Sequence, residues 1–505
     1  MSNNAEKAYK ELVEKWREVS LIASCAGMLH WDQETYMPKG GGEHRAEQVA
    51  YLSGLAHSKA VDPKVGELLK TVEGSDLVKD EFSDTGSNMR EMRHQYDMET
   101  KLPQRLVEEL SRTTAIAQNV WVVARKECDF AKFLPHLEKI AKLKREQADC
   151  LGYKKEPYDA LLDHYEPGMT TEMIRGIFEG FRQELVDLVH AIADSPKKPK
   201  VSILEKEYPI DRQILFSQEA AAAIGLNFHT GRLDVSAHPF TTGLGPGDTR
   251  ITTRYNLHHL GQAFFGTLHE GGHAIYDQGL DPAHYGIPRG EAVSLGIHES
   301  QSRMWENHVG RGKSFWKHFF PRAQQMFPEN LSDVKFDDFF FAINDVRPSF
   351  IRVEADEVTY NLHIMLRFEL ELALLNGDLQ PKDLPATWND RFTKYFGITP
   401  KNDAEGCLQD VHWSAGLIGY FPTYSLGNLY AAQFYVKAEE DIRYLDDQFA
   451  SGNFTELKAW LNKNIHAHGQ RYRAAKLVEV VTGKKLDHKY AMSYLKSKYG
   501  ELYGL

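Results

Sequence analysis

Apolar residues recur at helical spacing along most of this chain, and no other sequence feature restricts its fold as strongly. Tyr9, Leu12, Val13, Trp16 and Val19 form the stripe of an amphipathic helix that buries one face. Similar stripes run through residues 105–155, 171–193, 353–376 and 426–450, with proline and glycine mostly separating them. At 505 residues, 42% hydrophobic, the chain is long enough for one large core or two lobes around a cleft. The expected class is mainly α. The charged, proline-bearing stretch Ser195-Pro196-Lys197-Lys198-Pro199-Lys200 reads as an exposed connector between an N-terminal helical lobe, about 1–200, and a second lobe, about 201–505.

The remaining composition mostly excludes. Sixty basic against seventy-one acidic residues give a net charge of -11, which argues against nucleic acid or an anionic membrane as partner. The polar start MSNNAEKAYKELVEKW carries no secretory pattern, and no apolar run reaches the ~18 residues of a membrane span. Cys25, Cys128, Cys150 and Cys407 show no ligand spacing and read as reduced, buried thiols. A soluble cytoplasmic protein is expected.

One region departs from helical spacing. Residues 232–236 and 249–255 are short β-prone runs, separated by His238-Pro239-Phe240 and a glycine-rich stretch, and they predict a hairpin or small sheet with a wide loop. An exposed strand edge there would suit an extended peptide added as a further strand.

Immediately afterwards comes His269-Glu270-Gly271-Gly272-His273. Histidines at i and i+4 leave the same face of a helix, where two neutral imidazoles can hold a zinc ion. Glu270 follows the first histidine and stands beside the metal, placed to take a proton from water there. The same pattern also occurs as two histidines on an exposed helix, so its context matters. Leu260, Phe264, Phe265, Leu268, Ile275 and Tyr276 make this a buried helix, in which unpartnered histidines would be costly. Two adjacent glycines cost a helix roughly 1 kcal/mol each and imply close approach of another backbone or of substrate.

A third ligand is offered by Ile297-His298-Glu299-Ser300-Gln301. Glu299, at the start of a second helix, is preferred to His298, because two histidines plus a carboxylate is a common hydrolytic set. Asp277, one turn past His273, is either an outer hydrogen-bond partner of a ligand imidazole or a solvated aspartate. His258 and His259 read as structural. The site type fits zinc, and also cobalt or another divalent ion.

Taken together, these residues resemble the carboxypeptidase Taq family of zinc metallocarboxypeptidases nearly end to end. The resemblance is carried by Trp31-Asp32-Gln33-Glu34-Thr35-Tyr36-Met37-Pro38, His238-Pro239-Phe240, Asp248-Thr249-Arg250-Ile251-Thr252, the HEGGH helix, His298-Glu299-Ser300-Gln301, Ile351-Arg352-Val353-Glu354-Ala355-Asp356-Glu357 and Gly419-Tyr420-Phe421-Pro422-Thr423-Tyr424. It implies a large helical fold with a deep substrate groove and a small sheet flanking the active-site helix. It also implies a homodimer and removal of single residues from peptides with a free C-terminus. By motif, His269, His273 and Glu299 correspond to metal ligands, Glu270 to the general acid/base and Arg352 to the residue that reads the terminal carboxylate. His238, Arg250, His412 and Tyr420 fall in or near further family motifs facing the groove.

An exopeptidase needs a cation for the free carboxylate, and arginine's planar fork suits it. Arg347 and Arg352 lie five residues apart in DVRPSFIRVEADE, and residue pattern alone does not separate them. Either can instead pair with Asp345 or Glu354. His412 and Tyr420, in the loop-like HWSAGLIGYFPTY, are donor candidates for the tetrahedral oxyanion, or else buried aromatics with satisfied hydrogen bonds. Two rivals share these residues: a helical zinc oligopeptidase cleaving internal bonds, and a non-catalytic peptide-binding scaffold, which would not need Glu270.

Overall fold

Residues 2–505, which the computed structural model describes, divide into two mainly helical units. The first unit takes the chain up to Thr100, then Lys200–Ile343 and Phe434–Lys485. The second takes Lys101–Pro199, Asn344–Gln433 and Leu486–Leu505. The units therefore interleave in sequence and are not successive lobes divided near residue 200.

The helical stripes become helices whose ends are set by local chemistry. Residues 105–155 form two helices, Gln104–Glu127 and Phe130–Leu151, broken where Cys128 adopts a left-handed conformation at φ 53°. Residues 171–193 become Thr171–Asp194, with the Thr170 hydroxyl accepting from the Met173 amide. The 353–376 stripe starts late, at Tyr360, because the Asp356 carboxylate accepts from the Val358 and Thr359 amides and Pro348 lies upstream. The 426–450 stripe divides into Pro422–Asp441 and Leu445–Ala450. The cysteines form no disulfide, and only Cys407 is buried, contrary to the expectation for the other three.

In the first unit a three-stranded sheet lies against the motif helix. Strands β1 (Gly231–Val235), β2 (Thr241–Gly245) and β3 (Asp248–Thr253) take the order β1-β3-β2. The two β-prone runs do pair, but in parallel, with Leu233 opposite Ile251. The glycine-rich stretch expected as loop supplies β2, antiparallel to β3, because Thr241 and Thr242 are β-branched and the tight turn falls later, at Gly245 and Gly247. The Ser24 hydroxyl, from the first helix, Ser2–Thr35, donates to the Leu244 carbonyl on β2.

The motif helix spans Leu260–Gly279, capped by His259, whose Nδ1 accepts from the Gln262 amide. Its first two turns sink into an aromatic core: Phe264 stacks on Phe216 at 4.8 Å and meets Trp316 at 5.2 Å. Each such side chain contributes about 1.5–3 kcal/mol by leaving water. Burial of this end fixes the direction in which the following turn carries its polar residues.

That turn is pinned by the second helix, Leu295–Arg303, which the Ser294 hydroxyl caps by accepting from the Ile297 amide. A methyl group at Gly272 would sit 2.6 Å from the Gln301 carbonyl and 2.7 Å from the Ser302 Cα. Gly272 is thus where two backbones touch. Gly271 meets only the terminal methyl of Ile224, at 3.3 Å. Ala at Gly272 is therefore expected to destabilise by about 1–3 kcal/mol from overpacking, outweighing the ~1 kcal/mol gain in helix propensity. Ala at Gly271 should stay within about 1 kcal/mol of the wild type. Urea denaturation of both variants checks this, and equal stability of the two would refute the backbone contact.

Candidate active site

Three donor atoms converge where these two helices cross. His269 Nε2 and His273 Nε2 lie 3.6 and 3.4 Å from the same oxygen, Oε2 of Glu299. The ligand atoms of this trio all fall within 4.8 Å of one another. Bonds of 2.0–2.1 Å to a tetrahedral ion would separate its donors by about 3.3 Å, so the spacing fits zinc. His269 Nδ1 is 2.9 Å from Glu306 Oε2, which places the ring proton on Nδ1 and turns the Nε2 lone pair towards the cluster. Glu306 sits on a π-helical turn, Met304–Val309, that continues the second helix.

The electrostatics keep the two carboxylates of the cluster ionised. Burial pushes the Glu299 carboxyl up, but Arg303, His269 and His273 overcome it and hold the group well below its usual range. Glu306, likewise buried, is brought down to about 2 by Arg303, His269 and Arg311. Burial, reinforced by His298, lowers His273 to about 4, so this imidazole is neutral, as a ligand must be.

Glu270 leaves the same turn, and burial raises its carboxyl above the ordinary value. Its Oε2 lies 2.6 Å from the Thr241 hydroxyl, which is also 3.0 Å from the Glu270 carbonyl. The sheet thus enters the site through β2. Glu299 lies in the middle of its helix and does not open it. Asp277 does not reach a ligand imidazole: its Oδ1 is 3.0 Å from His298 Nε2, and the His298 ring stacks on His273 at 4.4 Å.

The second unit holds a separate cluster around Asp410. Arg352 donates from Nε and Nη2 to Asp410 Oδ1, at 3.1 and 2.8 Å, and from Nη1 to the Tyr360 hydroxyl at 2.9 Å. Arg367 donates from Nε to Asp410 Oδ2 at 2.7 Å. Two buried guanidiniums share one carboxylate, and together they hold it far below the usual carboxylate range in spite of burial. His412 places Nε2 3.2 Å from the Tyr424 hydroxyl, and Tyr420 packs edge-on against Tyr165 at 5.1 Å.

Residues 11–499 match the family described as carboxypeptidase Taq (M32) metallopeptidase. The chain belongs to the M32 metallocarboxypeptidases. It is 48% identical to thermostable carboxypeptidase 1 of Thermus thermophilus over 99% of both chains, and 38% identical to carboxypeptidase 1 of Bacillus subtilis over 98% of both. Among solved structures, the M32 carboxypeptidase of Deinococcus radiodurans superposes with a TM-score of 0.96 at 37% identity, covering 99% of this chain and 100% of that one. Membership makes the chain a metal-dependent carboxypeptidase acting on peptides. No described helix is long and apolar enough to cross a membrane.

Within this M32 chain the expected residues divide. His269, Glu270, His273 and Glu299 come together in the first unit, and Arg352, His412 and Tyr420 gather in the second. Arg347 is an exposed residue ion-paired with Asp345, whereas Arg352 is buried. Arg250 forks onto Asp248 with two 2.8 Å bonds and lies 4.3 Å from the Trp31 ring, so the tryptophan motif braces the sheet. His238 is exposed, and its carbonyl accepts from the Ser236 hydroxyl.

Thr241, Arg303, Glu306 and Asp410 were missed. Arg303 and Glu306 had a readable signal, four and seven residues after Glu299 on one helix. Asp410 had none, since its arginines lie 58 and 43 residues away in sequence.

Also in the second unit, Glu371 accepts from the Tyr158 hydroxyl, Trp413 Nε1 and the Gly419 amide. Burial still pushes its carboxyl up to about 7, against those donors and Arg367. A carboxyl raised on folding contributes stability that is complete below its unfolded value near 4.3 and is lost as pH rises through 7. The melting temperature should therefore fall between about pH 5 and 7.5, and Glu371→Gln should flatten that fall. An unchanged pH profile in the variant would refute the assignment.

Proposed function

We propose that His269, His273 and Glu299 hold a catalytic zinc ion, with cobalt as an acceptable substitute, and that Glu270 is the general acid/base. The observation that carries this reading is the convergence of three single-atom donors beside a buried carboxyl that Thr241 orients. Bound there, the metal supplies acidity to a water molecule and polarises the scissile carbonyl. Glu270 takes the proton from that water and gives it to the departing amine; its raised pKa suits both transfers. Thr241 fixes which oxygen of Glu270 is free to do so.

Arg352 is proposed to read the substrate's terminal carboxylate. While Glu371 is protonated, two guanidiniums against one aspartate leave a positive charge over, and a buried surplus charge favours an anionic partner. Arg347 is a poorer choice, because it is exposed and spent on Asp345. His412 and Tyr420 are proposed as donors to the tetrahedral oxyanion. Burial lowers His412 to about 4, so it acts as a neutral imidazole. His238 and Arg250 are proposed to contact substrate further along the peptide. A cytoplasmic homodimer belongs to the same reading, supported by the family motifs and by four uncrosslinked cysteines.

A short peptide with a free C-terminus should lose single residues, while its C-terminally amidated form should resist. Equal cleavage of both would favour the internal-bond oligopeptidase. Glu270→Gln should retain one metal ion per chain and lose ~10²–10⁴-fold in kcat, the usual share of a general acid–base. Full activity in that variant would exclude both the proposed mechanism and, by showing the base dispensable, the use made of the motif.

A further inference from the structure

Glu299 is held from two sides. Its Oε1 accepts from Arg303 Nε at 2.7 Å, and its Oε2 accepts from the Ser302 hydroxyl at 2.9 Å while facing both imidazole nitrogens. The same Arg303 donates from Nη1 to Glu306 Oε2 at 3.3 Å, the oxygen that receives His269 Nδ1. One guanidinium thus spans Glu299 and Glu306, the carboxylate behind His269. All of these side chains are at most 19% exposed, so water competes little for either bond.

An unrestrained carboxylate beside a dication can give one oxygen or both. We propose that Arg303 is a positioning residue that restricts Glu299 to donation from Oε2 alone. With Oε1 engaged by a charge-assisted bond, the chain contributes three donor atoms, the number typical of catalytic zinc sites, which keep a position for water or substrate. A second Glu299 oxygen would compete for that position. This inference rests on the ligand set proposed above.

Cobalt reports the difference, since its visible absorption weakens as coordination number rises. Cobalt-loaded Arg303→Met should still take up one ion per chain, because removing a positive charge beside a dication offsets the loss of an orienting bond. Its visible band should be weaker than that of the wild type, and its kcat should fall ~10–100-fold. Arg303→Lys, which keeps a charged donor beside Oε1, should recover the stronger band. Arg303→Gln replaces the methionine variant if that one does not fold.

A folded Arg303→Met protein with the wild-type band overturns the inference, as does a lysine variant no stronger than the methionine one. Wild-type protein that takes up no cobalt overturns the ligand set itself. The two failures are therefore distinguishable.

Discussion

The contact between the Gly272 turn and the backbone of Gln301 and Ser302 is the constraint on which the site depends. The motif helix carries His269, Glu270 and His273, and the second helix carries Glu299, the third member of the proposed ligand set. Any side chain at position 272 would hold the two helices apart, and Glu299 Oε2 would no longer meet both imidazoles. A glycine in a helix interior is a local cost that only a tertiary gain justifies. Here the gain is an approach close enough for side chains from two helices to converge on one point. The aromatic packing of Phe264 on Phe216 and Trp316 supplies the rigidity behind it.

What could be read from sequence, and what could not, follows from the range of each interaction. The helices were legible because burial of one face imposes a period on consecutive residues. His269, Glu270 and His273 were legible for the same reason, since they occupy a single turn. Glu299 was reachable because few candidate carboxylates follow at a useful distance. Thr241 was not, since its role depends on β2, which formed where glycines suggested a loop. Asp277 shows the limit of helical spacing. One turn past His273 it is well placed to support that ring, yet the neighbouring helix brings His298 closer, and the aspartate bonds there instead.

The arginine pair shows a different limit. Arg347 and Arg352 share a segment and a residue type, and nothing local separates them. Their environments do: one is ion-paired at the surface with the nearby Asp345, the other buried against Asp410, 58 residues on. The IRVEADE motif also contributes a purely structural part, since the Asp356 carboxylate holds the turn that leads into the helix beginning at Tyr360. Shared motifs thus mix groups proposed to contact substrate with groups that set the backbone for them.

The two clusters use the same ion-pair chemistry in opposite senses. In the first unit, Arg303 holds carboxylates whose remaining lone pairs are wanted for a cation. In the second, Asp410 holds two guanidiniums in place, and the reading proposed for Arg352 gives their charge to an anion. In both cases the holding partner is spent on geometry, because a buried ion left unrestrained would either recruit water or collapse onto the nearest counter-charge. Restraint by fixed ion pairs is also why neither cluster depends on long-range screening by salt, since partners within about 3 Å and out of water are little affected by it.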